Sequence, residues 1–290
     1  MDERAIGIWD SGLGGLTVVR AIRARLPGER ILYFGDTARV PYGTKGAETV
    51  RRFARQNSAF LMEKGVKLMV VACNTASAVA LDDLAGRLAV PVVGVIEPGA
   101  RAAAAATASG IVGVIGTPAT IQSGAYAGAL QAARGGLSVE SRACPLFVPL
   151  VEEGWLDHPA TRLVAEEYLA PIRAAGVDTL VLGCTHYPLL APLLGELMGA
   201  GVRLVDSAEE TAGEVARMLE AGGLLAPAGA GDGAGRAGGG GAAGGEEGAA
   251  GGLECFVSDL PLRFRQVGEA FLGRRIESIQ LVDFQTKEKV

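Results

Sequence analysis

Two of the four cysteines occupy positions at which a thiol can be activated. Cys73 and Cys184 each follow an apolar run directly or after one glycine, and each precedes small polar residues. In a parallel α/β protein these are strand-to-helix junctions, where the helix dipole favours a thiolate. Each thiol also has a candidate helper nearby, Asp10 for the first and His186 for the second. We therefore single out these two cysteines for thiol chemistry.

The other two cysteines and the second histidine have simpler interpretations. Cys144 and Cys255 are expected to be small buried hydrophobic residues. All four cysteines are expected to be free thiols in a reducing compartment, since no close spacing suggests a disulfide framework. His158, between Asp157 and Pro159, is typical of a surface turn.

Small polar residues and turn residues occur at the same kind of position elsewhere in the chain. Ligands of parallel α/β sheets bind at the carboxyl ends of strands, where helix N-termini present free N–H groups. The candidate site residues in such positions are Asp10, Ser11, Pro41, Tyr42, Gly43, Asn74, Thr75, Thr117, Thr120 and Thr185.

Strand patterns and helix patterns alternate along most of the chain and place these candidate residues at the ends of strands. Apolar residues at helical spacing predict a helix at 16–26, directly after a glycine-rich turn. Predicted strands span residues 5–9, 30–35, 67–72, 90–95, 111–115 and 179–182. Strands separated by helices indicate a parallel sheet that is covered on both faces.

The two halves of this pattern resemble each other. The apolar segment 6–9 matches 112–115, and 70–73 matches 181–184, at nearly equal offsets along the chain. We infer a weak internal duplication. The sequence therefore predicts an α/β fold of two similar domains, each a mainly parallel sheet flanked by helices, with one cysteine at a strand end in each.

Composition excludes several classes of protein. The 290 residues include 27 Lys and Arg against 32 Asp and Glu, a formal net charge of −5, and 49% are hydrophobic. The acidic balance argues against nucleic-acid binding, which normally shows a basic patch. There is no apolar run long enough for a membrane span, and the N-terminus lacks the features of a signal peptide. We expect a cytoplasmic protein.

The segment 222–252 differs from the rest of the chain. Of its residues, 15 are Gly and nine are Ala, with no periodicity. Such a composition buries little apolar surface and predicts a flexible loop. Globular character resumes at 255–272, where Phe264, Val267 and Phe271 share one helical face.

Four segments together carry a resemblance to a known family. They are GIWDSGLGG (7–15), PYG (41–43), ACNTA (72–76) and GCTHYP (183–188). In this order they resemble glutamate racemase, a family of cofactor-independent amino-acid racemases. The resemblance covers about residues 5–220 and, more loosely, 253–273. The Gly/Ala-rich segment departs from the usual length of the family and contains no motif.

The resemblance implies that two bases act on opposite faces of the substrate Cα without metal or cofactor. Cys73 would deprotonate D-glutamate with help from Asp10. Cys184 would deprotonate L-glutamate with help from His186, and Glu152 would be a further carboxylate. One base on each side of a cleft suits the inversion of a carbon centre. The reaction would supply D-glutamate for peptidoglycan.

The same resemblance implies where the substrate binds. The α-carboxylate and ammonium groups are expected near Asp10 and His186, on Ser11, Asn74, Thr75, Thr117, Thr120 and Thr185. The side-chain carboxylate is expected at Pro41, Tyr42 and Gly43. Dimers are common in the family, so a homodimer is one expected assembly.

We expect the two domains to be discontinuous in sequence. Residues 1–97 with 207–290 would form the first domain and residues 98–206 the second. The active site would lie in the cleft between them, and domain closure would exclude water.

Three other enzyme classes fit these residues less well. A dinucleotide-binding protein would use the glycine-rich turn with Asp36, but Thr17 stands at the third glycine position. A pyridoxal-phosphate racemase needs a lysine, and of five lysines only Lys45 lies near a motif. A zinc hydrolase could use the two thiols with His186 and Asp10, but these residues include only one close pair of ligands.

Two further alternatives come from the resemblance itself. A related racemase acting on aspartate or a hydantoin keeps both cysteines and differs in the residues around the substrate side chain. Some glutamate racemases also bind and inhibit DNA gyrase, which suggests a non-catalytic role in which the Gly/Ala-rich segment contacts a partner.

Overall fold

The computed structural model describes residues 2–227 and 251–283. Its strands are Ile6–Asp10 (β1), Ile31–Gly35 (β2), Leu68–Val71 (β3), Val92–Gly94 (β4), Ile111–Gly116 (β5), Ser138–Ala143 (β6), Thr179–Gly183 (β7), Arg203–Asp206 (β8), Leu253–Val257 (β9) and Ile279–Leu281 (β10). Its α-helices are Leu16–Arg25 (α1), Ala47–Glu63 (α2), Asn74–Ala85 (α3), Ile96–Ala106 (α4), Pro118–Gln122 (α5), Ala125–Ala133 (α6), Phe147–Glu152 (α7), Pro159–Ala174 (α8), Ala191–Met198 (α9), Ser207–Ala221 (α10) and Pro261–Leu272 (α11). Short 3-10 helices span Thr37–Arg39, Tyr42–Thr44 and Tyr187–Leu190.

The first sheet has the strand order β10-β9-β2-β1-β3-β4, and all its pairs are parallel. The central strands β1, β2 and β3 are buried along their whole length. Because helices cover both faces of a parallel sheet, such strands require continuous apolar sequences, as found here.

The second sheet has the order β6-β5-β7-β8 and is also entirely parallel. The order of β2-β1-β3-β4 in the first sheet is the same, with β1 corresponding to β5 and β3 to β7. The predicted fold class is therefore confirmed, and the shared strand order supports the inferred duplication.

The strands of the first sheet come from residues before 97 and after 207, and those of the second come from between. We call residues 2–97 with 207–227 and 251–283 the first unit, and 98–206 the second unit. The division into domains at these boundaries stays a prediction.

Helices pack within and between these units. Helix α1 packs against α10 and α11, and α4 packs against α6 and α10. Helix α11 buries Phe264 and Phe271, two of the three residues on its predicted apolar face, while Val267 is partly buried. None of the helices in the described parts of the chain has the length and apolar character that crossing a membrane requires.

The predicted flexible loop at 222–252 falls mainly on residues 228–250, which lie outside the described residues. On one side of them, Gly222 ends helix α10. On the other side, Gly252 precedes strand β9, and its carbonyl accepts a hydrogen bond from the N–H of Ile31 at 2.8 Å. Both ends therefore lie at the amino ends of the strands, away from the predicted site.

Candidate active site

A cavity of about 360 Å³ lies where the carboxyl ends of the two sheets face each other. The residues of the first unit that line it are Ser11, Gly12, Val40, Pro41, Tyr42, Gly43, Thr44, Cys73, Asn74 and Thr75. Those of the second unit are Thr117, Pro118, Pro145, Val148, Pro149, Glu152, Cys184, Thr185 and His186. Most of the predicted site residues thus line one cavity. Asp10 and Thr120 are not among the lining residues but contact residues that are.

Cys73 lies between strand β3 and helix α3, where it is the N-cap residue. Its side chain is buried, and Sγ lies 3.6 Å from Oγ of Ser11, to which the thiol donates. Burial and then the charge of Asp10 raise the pKa of Cys73 to about 12. The helix N-terminus favours the thiolate, as expected from the sequence, but burial and the nearby carboxylate outweigh the helix dipole and raise the pKa of this thiol.

Asp10 ends strand β1 and is almost completely buried. Its Oδ2 accepts a hydrogen bond from the N–H of Gly12 at 3.1 Å. No partner for Oδ1 is present within the described residues. Burial raises the pKa of Asp10, while the charge of His186 lowers it. The carboxylate therefore interacts electrostatically with both Cys73 and His186.

Cys184 follows strand β7 and has a different set of partners. Its Sγ lies 3.9 Å from Nδ1 of His186, and Nε2 of the same ring lies 2.9 Å from Oε1 of Glu152. Burial alone would lower the pKa of His186, but the hydrogen bonds to Cys184 and Glu152 and their charges raise it to about 10. His186 is therefore an imidazolium at neutral pH and places a positive charge beside Cys184.

The His186 ring is also held by packing. The ring of Phe271 from helix α11 contacts it in a T-shaped arrangement, with ring centroids 5.1 Å apart. On another side, a Cβ atom at Gly14 would lie 2.2 Å from Oγ1 of Thr185 and 2.6 Å from Nδ1 of His186. The glycine-rich turn therefore lets the backbone of the first unit approach these two residues. This close packing explains Gly14 without a dinucleotide.

Three threonine hydroxyls meet beside the cavity. Oγ1 of Thr75 lies 2.9 Å from Oγ1 of Thr117 and 3.3 Å from that of Thr120, and the latter two are 2.9 Å apart. Thr75 belongs to the first unit and the other two to the second. The cluster therefore joins the two units with groups that can donate to or accept from a polar ligand.

Tyr42 lines the cavity, but its hydroxyl is used elsewhere. It donates to Oδ2 of Asp36 and accepts from Nδ2 of Asn57 at 3.2 Å. Asp36 is fully buried and also accepts from Arg39 and from Ser258 at 2.9 Å. A buried Asp36 with these partners does not fit the ribose contact weighed above. At Tyr42 and Gly43, the backbone N–H groups at the start of a 3-10 helix are the better donors for a carboxylate.

The apolar wall of the cavity was not predicted from the sequence. Val40, Pro145, Val148 and Pro149 line it together with the polar residues. The one available signal was Pro149, three residues before Glu152. Among residues 2–227 and 251–283, His, Cys, Asp and Glu side chains form no group of three or more suited to a metal ion.

Comparison with known proteins shows which family the chain belongs to. A sequence model of the Asp/Glu/Hydantoin racemase family matches residues 16–215. The chain belongs to this family. It is therefore an enzyme of the isomerase class, and the predicted resemblance is confirmed.

The racemase is similar along its whole length to proteins named glutamate racemase. It is 52% identical to that of Geobacter metallireducens over 289 residues, which is 100% of both chains. A crystal structure of a glutamate racemase isoform from Bacillus anthracis superposes with a TM-score of 0.88 and 38% identity, covering 98% of this chain and 99% of that one. That of Francisella tularensis, in complex with D-glutamate, has a TM-score of 0.85 and 36% identity, covering 99% and 100%.

Proposed function

We propose that the protein interconverts L- and D-glutamate by a two-base mechanism without metal or cofactor. The observation that carries this proposal is that two topologically equivalent strands, β3 and β7, each deliver one cysteine to the same cavity from different units. Glutamate is favoured as substrate because the relatives described above are named glutamate racemases, one of them in complex with D-glutamate.

Each direction of the reaction transfers one proton to one thiolate and one proton from the other thiol. From D-glutamate, the Cys73 thiolate takes the α-proton and the Cys184 thiol protonates the opposite face of Cα, giving L-glutamate. The reverse reaction begins with the Cys184 thiolate. Asp10 assists Cys73, and His186 with Glu152 assists Cys184. After each turnover the thiolate has become a thiol and the thiol has become a thiolate. Proton exchange with solvent must restore the original protonation states before the next turnover in the same direction.

The carbanion-like transition state needs hydrogen bonds to the substrate carboxylate and exclusion of water. Donors for the α-carboxylate and acceptors for the ammonium group are Ser11, Asn74, Thr185 and the threonine cluster. The N–H groups at Tyr42 and Gly43, beside Pro41, are assigned to the side-chain carboxylate. The apolar wall of the cavity disfavours water, and closure of the two units around the substrate would complete its exclusion.

The volume of the cavity suits a small substrate. About 360 Å³ is near the lower end of the range for ligand pockets, roughly 300–1,000 Å³. A racemase of the same family that acts on aspartate is the alternative, because the thiols would be equally placed. The proposed physiological role is to supply D-glutamate for peptidoglycan in the cytoplasm.

The test is to incubate the purified protein with L-glutamate and a metal chelator and to measure D-glutamate. We expect racemisation, with little or none for L-aspartate under the same conditions. Faster racemisation of aspartate would favour the alternative. Loss of activity in chelator would overturn the cofactor-independent mechanism.

A further inference from the structure

Tyr126 is a buried tyrosine of helix α6 whose hydroxyl reaches from the second unit into the first. It donates a hydrogen bond to Oδ1 of Asn74 at 2.7 Å. Asn74 directly follows Cys73 and lines the cavity. Since the tyrosine is only 3% exposed, water does not compete for this hydrogen bond.

The other polar atom of the Asn74 side chain has no hydrogen-bond partner in residues 2–227 and 251–283. Its Nδ2 is buried, and none of the described residues accepts a hydrogen bond from it. Buried polar atoms are rarely left unpaired, and those that are call for a specific explanation. Asn74 lines the ligand cavity, and an unpaired amide donor on such a residue is explained when the ligand itself is the acceptor.

Tyr126 is also fixed with respect to the second thiol. A Cβ atom at Gly183, the residue before Cys184, would lie 3.0 Å from Cε2 of the tyrosine ring. One side chain thus contacts the residue before one cysteine and holds the residue after the other.

We propose that Tyr126 is a positioning residue that fixes the Asn74 amide with Nδ2 toward the cavity, where it donates to the α-carboxylate of the substrate. The proposal rests on the proposed racemase function. A side-chain amide has an oxygen that accepts and an NH2 group that donates, and only the NH2 group can bind a carboxylate. With phenylalanine at position 126, the amide is free to turn Oδ1 toward the substrate, where the two acceptors repel each other.

The experiment is a double-mutant cycle of Tyr126→Phe and Asn74→Ala, read as kcat/KM for glutamate. We expect Tyr126→Phe to lower kcat/KM roughly tenfold in the wild-type background, the scale of one lost hydrogen bond to a charged group. In the Asn74→Ala background it should change kcat/KM less than about twofold, because the residue that Tyr126 positions is already absent. Equal losses in both backgrounds, or no loss in either, would overturn the proposal.

A matched control removes a different tyrosine hydroxyl from the second unit. The Tyr168 hydroxyl accepts from the N–H of Leu146 at 3.4 Å, whereas the tyrosine hydroxyl bound to Asn74 is that of Tyr126. Tyr168→Phe should leave kcat/KM near the wild-type value. Circular dichroism and thermal unfolding verify that each variant is folded.

A second measurement separates this proposal from the choice of substrate. The side-chain amide signal of Asn74 in 15N-labelled protein is assigned by its loss in Asn74→Ala. We expect it to shift in Tyr126→Phe and not in Tyr168→Phe, and to shift in the wild type on addition of D-glutamate. If the wild type fails to racemise glutamate, the proposed substrate is wrong. An amide signal that Tyr126→Phe leaves unchanged would overturn the positioning role by itself.

Discussion

The two halves of the cavity present the same group, a cysteine thiol, in two different electrostatic settings. Cys184 faces the imidazolium of His186 at 3.9 Å, and Glu152 binds the far side of that ring. Cys73 has the neutral hydroxyl of Ser11 at 3.6 Å and the buried carboxyl of Asp10 nearby. Cys184 therefore lies beside a positive charge, whereas burial and a carboxylate disfavour the thiolate of Cys73.

Two units with the same strand order therefore place different side chains around equivalent cysteines. Strands β1 and β5, and β3 and β7, occupy corresponding places in the two sheets. The proposed two-base mechanism has two substrates, L- and D-glutamate, and requires the two thiols to start in opposite protonation states for each of them. The unequal settings therefore suit a resting enzyme in which Cys73 is a thiol and Cys184 faces a cation.

Removing either thiol should reduce racemisation more than any other single change. Cys73→Ser and Cys184→Ser should each lower racemisation by roughly 10³-fold, because a serine hydroxyl is a far weaker base in this position. In D2O, Cys73→Ser should still exchange the α-proton of L-glutamate, and Cys184→Ser that of D-glutamate. Proton NMR of each enantiomer measures the exchange.

Cys255→Ser is the matched control for these two variants, since Cys255 is a buried free thiol on strand β9, outside the cavity lining. It should keep near-normal turnover. Near-normal turnover of either Cys73→Ser or Cys184→Ser would contradict the two-base mechanism, and exchange at both enantiomers would contradict the assignment of faces.

The helper groups should give smaller and unequal effects. His186→Asn is expected to lower kcat mainly in the direction that starts from L-glutamate, and Asp10→Asn to lower kcat mainly in the direction that starts from D-glutamate. Each loss should be roughly ten- to 100-fold, which is the scale of one lost interaction with a charged group. Because the enantiomers have equal free energy, kcat/KM must stay equal in the two directions, so the asymmetry appears in kcat and KM separately. Full progress curves from both enantiomers measure it. Equal losses of kcat in both directions would contradict the assignment of Asp10 to Cys73 and of His186 to Cys184.

The charge of His186 should be visible in the pH profile. Its pKa is raised to about 10, so the imidazolium is present at neutral pH and is lost as the pH rises through that value. Activity that depends on the cation should fall over the same range. Glu152→Gln removes one of the charges that raise this pKa, so the falling limb should move to lower pH. A limb that stays in place in Glu152→Gln would show that it belongs to another group.

Gly14→Ala should have a smaller effect than the changes above, and it tests how closely the two units pack beside Cys184. Gly14→Ala places a methyl group 2.2 Å from Oγ1 of Thr185. Overpacking of this kind costs about 1–3 kcal/mol, and displacement of the adjacent His186 should lower kcat more than it raises KM. Denaturant unfolding and kinetics measure the two effects. Gly28→Ala, where nothing lies within 4 Å, is the control and should be neutral. Equal behaviour of the two variants would contradict the close approach.

The sequence predicted the strands that end at the site because buried parallel strands are continuous apolar runs bounded by turns. Strand β7 was expected at 179–182 and is found at Thr179–Gly183, for example. Motif residues after these strands, such as Ser11 and Thr185, do line the cavity. Their individual roles stay predictions.

Other features depend on contacts between distant parts of the chain, which a local pattern does not contain. The pKa of Cys73 is set by burial and by Asp10, 63 positions earlier, so its local place at a helix N-terminus suggested the opposite direction. Nothing in the local sequence distinguishes Tyr126 from other helix residues, because its hydroxyl meets Asn74 only in the folded chain.

The most direct test of the opposed thiols is the position of solvent deuterium early in the wild-type reaction. L-Glutamate is converted in D2O to a few per cent of completion, and both enantiomers are recovered for mass spectrometry. Two bases on opposite faces predict deuterium at Cα of the D-glutamate formed and protium in the remaining L-glutamate. Equal labelling of substrate and product, or a product that keeps the original proton, would mean that a single base acts on both faces.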